Sequence, residues 1–405
     1  MAKRKLGFLS AAAGAALVAL SATSFGAECQ TQGNFPAWLG GFKKEALSNG
    51  ISPETFAAAE PALVFDQGTL KADHQQGVFN QSFLQFSDRM ISKYRLTKGQ
   101  ALINQNKALF DRIAQKFGVP APVIVAFWAL ESDFGAVQGN FPVLKSLATL
   151  AYDCRRPEQF RKELMAALQI IQRGDLQPSE MIGSWAGELG PTQFVPSHYV
   201  QYGVDFDGDG KVDLVHSTPD ALATTANFLQ ALGWQKGQPW LQNVRVPDQM
   251  PWEKSDLTIQ LPRADWVKYG VTDAAGKALP ADDVKASLLL PMGRNGPAFL
   301  AYQNFQVYLN WNQSLVYSTT AAVLATRIAG APAIQRGNDT VTVLGLDDMK
   351  NLQRALAKRG YNVGEIDGKL GSGTRAAVKA EQVKQGLPPD GYPDADLLAK
   401  LHGGA

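Results

Sequence analysis

The chain has 405 residues, enough for two or three domains and a large core, and its 45% hydrophobic content is that of an ordinary globular protein. Basic residues number 39 against 37 acidic ones, a net charge of +2, so nothing points to nucleic acid or an anionic membrane surface as partner. Four histidines and two cysteines leave little for a zinc site.

At the N-terminus, Lys3, Arg4 and Lys5 precede the apolar run LGFLSAAAGAALVALSA, and SFGA closes it. Residues 1–27 are therefore expected to be a secretory signal peptide cleaved near Ala27. The run is too short and Ala-rich for a membrane span, so none is expected after cleavage. Glu28 stands before Cys29 where a lipobox has a small residue, which argues against a lipoprotein. In an exported protein Cys29 and Cys154 suggest one disulfide tethering the N-terminal arm, with two unpaired thiols as the alternative.

From about residue 35 to 240 the pattern is helical. ETFAAAEPAL, LINQNKALFDRIAQKFG, PVIVAFWALESDFG, EQFRKELMAALQIIQRG and DALATTANFLQALGW repeat apolar positions three and four apart. Gly118, Gly135, Gly174 and Gly233 are expected as left-handed stops. Between 241 and 305, LTIQLP, ASLLLP and FLAYQNFQVYL suggest strands or extended pieces, and SLVYSTTAAVLATRIAG returns to helix. The expectation is a mainly helical (α+β) domain over 28–330 with a small β-containing insertion. A linker follows at 331–344, rich in Pro, Gly and polar residues, and a small three-helix unit at 345–402.

One residue in WALESDFGA is out of place. Glu131 ends an apolar run from Pro122 to Leu130. Burial raises a carboxyl pKa, and a helix C-terminus opposes ionisation further, so the position favours a protonated acid near neutral pH. That is the state of a general acid that protonates a leaving oxygen. The alternative is a Glu turned to solvent or paired with an arginine such as Arg155. Asp133, two residues on, should point elsewhere on the helix.

ALESDFG and SWAGELGPTQFVPS together resemble the lytic murein transglycosylase B family, over about residues 35 to 330. The resemblance implies a lysozyme-like helical catalytic domain, with Glu131 as the single catalytic acid and base. It implies substrate contacts from Ser184 and Gln193, and Arg155 and Arg156 of RRPEQF binding stem-peptide carboxylates or orienting the site. WNQSLVY matches a family Tyr-Asn and later Tyr, adding Trp311, Asn312 and Tyr317 to the substrate set, with Trp311 as a flat stacking surface. Phe228 stands where a Tyr is frequent. No cofactor is implied for chemistry. The implied reaction cleaves the bond from N-acetylmuramic acid to N-acetylglucosamine and closes a 1,6-anhydro ring, so no water is consumed. Ordinary glycosidases use two carboxylates; here Glu188 is the only sequence-level candidate for a second. A hydrolytic muramidase using it, or a non-catalytic wall-binding scaffold, are the alternatives.

DFDGDGKVDLV copies the first half of a calcium loop through Asp205, Asp207, Asp209, the Lys211 carbonyl and Asp213. Position twelve is His216 rather than Glu, and the resemblance offers Asp220 as the closing carboxylate. A weak structural Ca2+ site is expected; the alternative is an Asp-Gly turn held by its own hydrogen bonds. LQRALAKRGYNVGEIDGKLGSGTRAAVKAEQ resembles the small peptidoglycan-binding domain, with Leu370 and Glu381 where that family usually has aromatics. The implied partners are peptidoglycan glycan strands and stem peptides, met by a monomer in the periplasm.

Overall fold

The computed structural model describes residues 34–74 and 81–403. The expected signal peptide and Cys29 lie outside these residues; Cys154 is disulfide-bonded.

The helix Ala121–Ser132 is apolar almost all round and nine of its twelve residues are buried, as such a helix must be. Each large apolar side chain buried there contributes roughly 1.5–3 kcal/mol. It packs against helix Leu315–Ile328, with Lys93–Gln105, Lys107–Phe117 and Thr218–Ala231 around it. These form one core, including Ile113, Phe127, Leu222, Tyr308 and Leu324. A second core joins helices Phe35–Ser48, Pro53–Ala59, Val143–Tyr152, Pro157–Arg173 and Pro196–Tyr202 through Phe42, Phe56, Leu147, Leu164 and Tyr199. Trp311 packs against both, so it marks the seam between them.

Side-chain caps start many of the helices. Asn34, Ser52, Ser82, Ser92, Ser217 and Ser314 each accept a backbone N–H of the first turn. Gly118 and Gly174 end helices with positive φ as expected. Gly135 is not the first left-handed residue after the central helix. Asp133 (φ 53°) and Phe134 (φ 63°) already adopt that conformation, uncommon for residues with a Cβ. Arg95 Nε holds Asp133 Oδ1 at 3.0 Å, and the Ser132 hydroxyl accepts from Gly135 N at 2.8 Å.

Strands β1 (Phe141–Pro142) and β2 (Ile182–Gly183) pair antiparallel, Phe141 opposite Gly183. This short ladder brings the SWAGELG loop beside the segment that follows the central helix. The insertion is a five-stranded antiparallel sheet of β3 (Leu241–Arg245), β4 (Leu261–Pro262), β5 (Thr272–Asp273), β6 (Lys285–Leu289) and β7 (Ala298–Ala301), in the order β4-β6-β7-β3-β5. Trp252, Trp266, Leu288 and Leu300 fill its own core. FLAYQNFQVYL divides: Ala298–Ala301 is strand, but Phe305–Trp311 is helix, not extended. The buried Asn304 forces the change, its amide donating to the carbonyls of Gln235 and Gln238.

The C-terminal unit has helices Leu346–Lys358, Ser372–Lys384 and Ala395–Gly403 around Leu352, Leu356, Val378 and Leu397. Glu381, at a position where the resembled family usually has an aromatic, is fully buried, and Tyr361 OH (2.9 Å) and Gln385 Nε2 (2.8 Å) donate to it. The unit is docked rather than loosely tethered. Arg294 bonds Asp390 and Asp394, Arg375 donates to the carbonyls of Leu290 and Pro291, and Tyr392 enters the first core. The stretch expected as a linker lies along the sheet, Asn338 Nδ2 donating to Val246 O. Among the described residues no single helix is long and apolar enough to cross a membrane.

Candidate active site

The central helix carries Glu131 to the seam between the cores. Burial lifts its carboxyl pKa to about 7, opposed by hydrogen bonds from Tyr317 and Trp311 and reinforced by the neighbouring Glu188 charge. Tyr317 OH and Trp311 Nε1 (3.0 Å) both donate to one oxygen, Oε1. Two donors on one oxygen favour placing the carboxyl proton on the other, Oε2. The two donors sit on either side of a single turn. Asn312 Oδ1 accepts from Ser314 N at 2.9 Å, and the Ser318 hydroxyl donates to Asn312 O at 2.6 Å. Asn312 therefore shapes the turn that places both donors.

Trp311, expected as a flat stacking surface, is half-exposed. Its ring lies 4.4 Å from Phe127, 5.4 Å from Phe228 and 5.8 Å from Phe194, and its N–H donates to the acid. Phe228, also expected to touch substrate, is only 7% exposed behind Trp311, against His198 and Tyr202. An apolar ring at Phe228 suits that packing among aromatic neighbours.

The loop after β2 folds back on the same helix end. Ser184 Oγ donates to Glu188 Oε2 at 2.9 Å and accepts from the N–H groups of Ala186 and Glu188. It thus serves Glu188 within the loop. Gln193 has φ 52°, and its Nε2 donates to Gly190 O (2.8 Å) and Gln138 O (3.3 Å). The Ser132 hydroxyl donates to Pro191 O, a second staple between loop and helix. Burial raises the Glu188 pKa, and the Ser184 hydrogen bond opposes this.

Residues 34–326 match the transglycosylase SLT domain, and residues 346–401 a peptidoglycan-binding domain. The chain is a member of the transglycosylase SLT family. It is 31% identical over 296 residues to membrane-bound lytic murein transglycosylase B of Escherichia coli K12, covering 71% of this chain and 79% of that protein. SltB3 of Pseudomonas aeruginosa, solved with NAG-anhNAM-pentapeptide and with NAG-NAM-pentapeptide, is 41% identical, with a TM-score of 0.84 over 91% of this chain and 99% of its own. Escherichia coli Slt35, solved in complex with calcium, is 28% identical, with a TM-score of 0.62 over 74% of this chain and 96% of its own. This SLT-family chain is accordingly a peptidoglycan-cleaving lyase of mostly helical, lysozyme-like fold.

Two further sets of expected residues lie away from the acid. Arg155 and Arg156 bond the buried Asp73, Arg155 Nη1 at 2.9 Å and Arg156 Nη2 to the other oxygen. They neutralise Asp73, which is 1% exposed, and do not join Glu131. No sequence signal links Asp73 to a pair 82 residues away. In the 205–213 loop, Asp205, Asp207 and Asp209 each bring a carboxylate oxygen within 4.8 Å of the others, on the surface. Such a trio of hard oxygen donors fits a calcium ion. Asp213 is turned to His216, Oδ2 to Nδ1 at 2.9 Å. Asp220 is not poised as a ligand. It is fully buried and accepts the N–H groups of Phe206, Asp207 and Asp213, bracing the loop from behind. The backbone N–H of Lys211 donates to Asp209.

Proposed function

We propose that this lyase cleaves the β-1,4 bond between N-acetylmuramic acid and N-acetylglucosamine without water, with Glu131 as its single acid and base. The carrying observation is the Glu131 carboxyl itself, half-buried at a helix end with Tyr317 and Trp311 both donating to its Oε1, an environment that pushes its pKa up to about 7. The proton on Oε2 passes to the glycosidic oxygen as its bond to the muramic C1 breaks, and the sugar's N-acetyl group supports the cationic centre. Glu131, now ionised and held by Tyr317 and Trp311, takes the proton of the C6 hydroxyl as O6 bonds to C1. The acid is regenerated and the product ends in a 1,6-anhydro ring. The similarity to SltB3, solved with an anhydro-muramic peptide, supports this reading.

The same reading has residues 1–27 removed on export and the mature monomer acting in the periplasm. The fold of 28–330 does the chemistry, and the unit at 345–402 holds the wall, joined by 331–344. Asp205, Asp207 and Asp209, with the Lys211 carbonyl and Asp213, would hold a structural Ca2+ that takes no part in the chemistry. Ser184 and Gln193, half-buried in the loop beside the acid, contact the substrate in this reading while bonding Glu188 and the loop backbone. Mass spectrometry of products released from purified sacculi tests the proposal. Muropeptides one water lighter than the hydrolysed form are expected. Reducing ends would mean an activated water and a muramidase with Glu188 as second carboxyl. No soluble product at all would leave a wall-binding scaffold.

A further inference from the structure

Arg155 and Arg156, the cations expected to receive stem-peptide carboxylates, are taken up by Asp73. A different cation stands beside the catalytic turn. The helix Lys93–Gln105 is fastened to that turn, Arg95 Nε donating to Asp133 Oδ1 at 3.0 Å. It presents Tyr94, 52% exposed, and the half-buried Lys98 one turn further on. The Lys98 ammonium lies 5.2 Å from the Tyr94 ring centre and 5.1 Å from that of Phe134. It donates to the Tyr94 hydroxyl oxygen at 2.7 Å. Two aromatic rings thus hold the cation in place. Tyr94 meets Phe134 edge to face at 6.4 Å, and Phe134 meets Trp128 at 5.8 Å. Trp128 is one helical turn before Glu131, so this aromatic shelf adjoins the helix face that carries the acid.

We propose that Tyr94 and Lys98 form a subsite that receives a carboxylate of the stem peptide on the substrate's muramic sugar. The inference rests on the peptidoglycan reading of the Glu131 site. Charge accounting supports it. Among the described residues Lys98 has no carboxylate partner: Asp133 is paired with Arg95, Glu131 accepts from Tyr317 and Trp311, and the first turn of the helix holds no acidic residue. The donors also fit. Because Lys98 donates to the Tyr94 oxygen, the Tyr94 O–H proton is left for an outside acceptor. One carboxylate, with two oxygens that only accept, bridges two donors 2.7 Å apart. A neutral sugar hydroxyl would gain less, since hydrogen bonds to an ionised partner are roughly twice as strong. Reach agrees as well. Peptide spans at most roughly 3.6 Å per residue, so Phe134 lies within about 11 Å of Glu131 along the chain, and a stem of roughly three to five residues extends to Lys98.

The test measures kcat and KM of the mature protein on soluble glycan strands bearing stem peptides, and on the same strands with their carboxylates amidated. Anhydro ends are counted by mass spectrometry. The wild type should prefer the carboxylate-bearing strands about three- to tenfold, through KM rather than kcat. Lys98→Met should lose that preference, and Lys98→Arg should keep part of it. Tyr94→Phe, which retains the ring and removes one donor, should reduce it about twofold. Thermal melts establish that each variant is folded; if Lys98→Met is not, Tyr94→Phe and Lys98→Arg decide. A wild type that treats both strands alike would overturn the proposal. A preference that survives in Lys98→Met would overturn it too, and an equal loss on both strands would leave Lys98 a support of the catalytic turn. A wild type that releases no anhydro ends from either strand would instead defeat the function assigned to Glu131.

Discussion

Glu131 and the aspartates of the 205–213 loop carry the same functional group into opposite surroundings. Glu131 ends an apolar helix, loses its hydration and is left with two neutral donors on one oxygen. Asp205, Asp207 and Asp209 stand in water on a glycine-rich turn, their oxygens converging on one another. Withdrawal from water makes a carboxyl keep a proton; exposure with convergence makes it ready for a cation. Asp220 differs from both, fully buried yet bonded by three backbone N–H groups. It acts as structural cement.

The contrast breaks most visibly at Glu131. Glu131→Gln keeps the shape and cannot cycle a proton, so turnover of sacculi should fall by about 10³-fold or more. Co-sedimentation with sacculi should be unchanged; near-wild-type turnover would remove Glu131 from its role. Next, Tyr317→Phe removes a donor that favours the ionised form. The Glu131 pKa should rise, moving the alkaline limb of the pH–rate profile upward. The rate should drop roughly 10- to 10²-fold as the carboxyl loses its orientation. A limb that moves downward would contradict the assigned hydrogen bond.

Stability effects are smaller. Asp220→Ala leaves three backbone N–H groups without their acceptor and should cost about 1–3 kcal/mol in chemical denaturation, with or without calcium. Chelation should cost the wild type about 1 kcal/mol, seen as a melting temperature that rises again with added Ca2+, while turnover at 25 °C stays the same. A melting temperature indifferent to calcium would reduce the loop to a hydrogen-bonded turn.

Much of this was legible along the chain because the signals are local. The apolar run to Leu130, the serine and asparagine caps, and the glycine stops at 118 and 174 each depend on neighbours within a few residues. Glu131 stood out for the same reason. What escaped depends on distant pairings. Trp311 meets Glu131 across 180 residues, so the hydrogen bond from its N–H to the acid could not be read along the chain. Arg155 and Arg156 carry no mark of Asp73, and Asp220 looks like a ligand until its oxygens are seen facing the loop's own backbone. The helix Phe305–Trp311 was hidden by β-forming Phe, Val and Tyr, whose propensity the tertiary packing around Asn304 and Tyr308 overrides.

The central claim is that Glu131 still holds its proton near neutral pH, and an infrared titration measures this directly. The protonated-carboxyl band in the wild type minus Glu131→Gln difference spectrum should disappear with a midpoint near 7. A midpoint near the ordinary value of 4.5 would show that Glu131 is ionised at work, and the helix end would not be what makes it an acid.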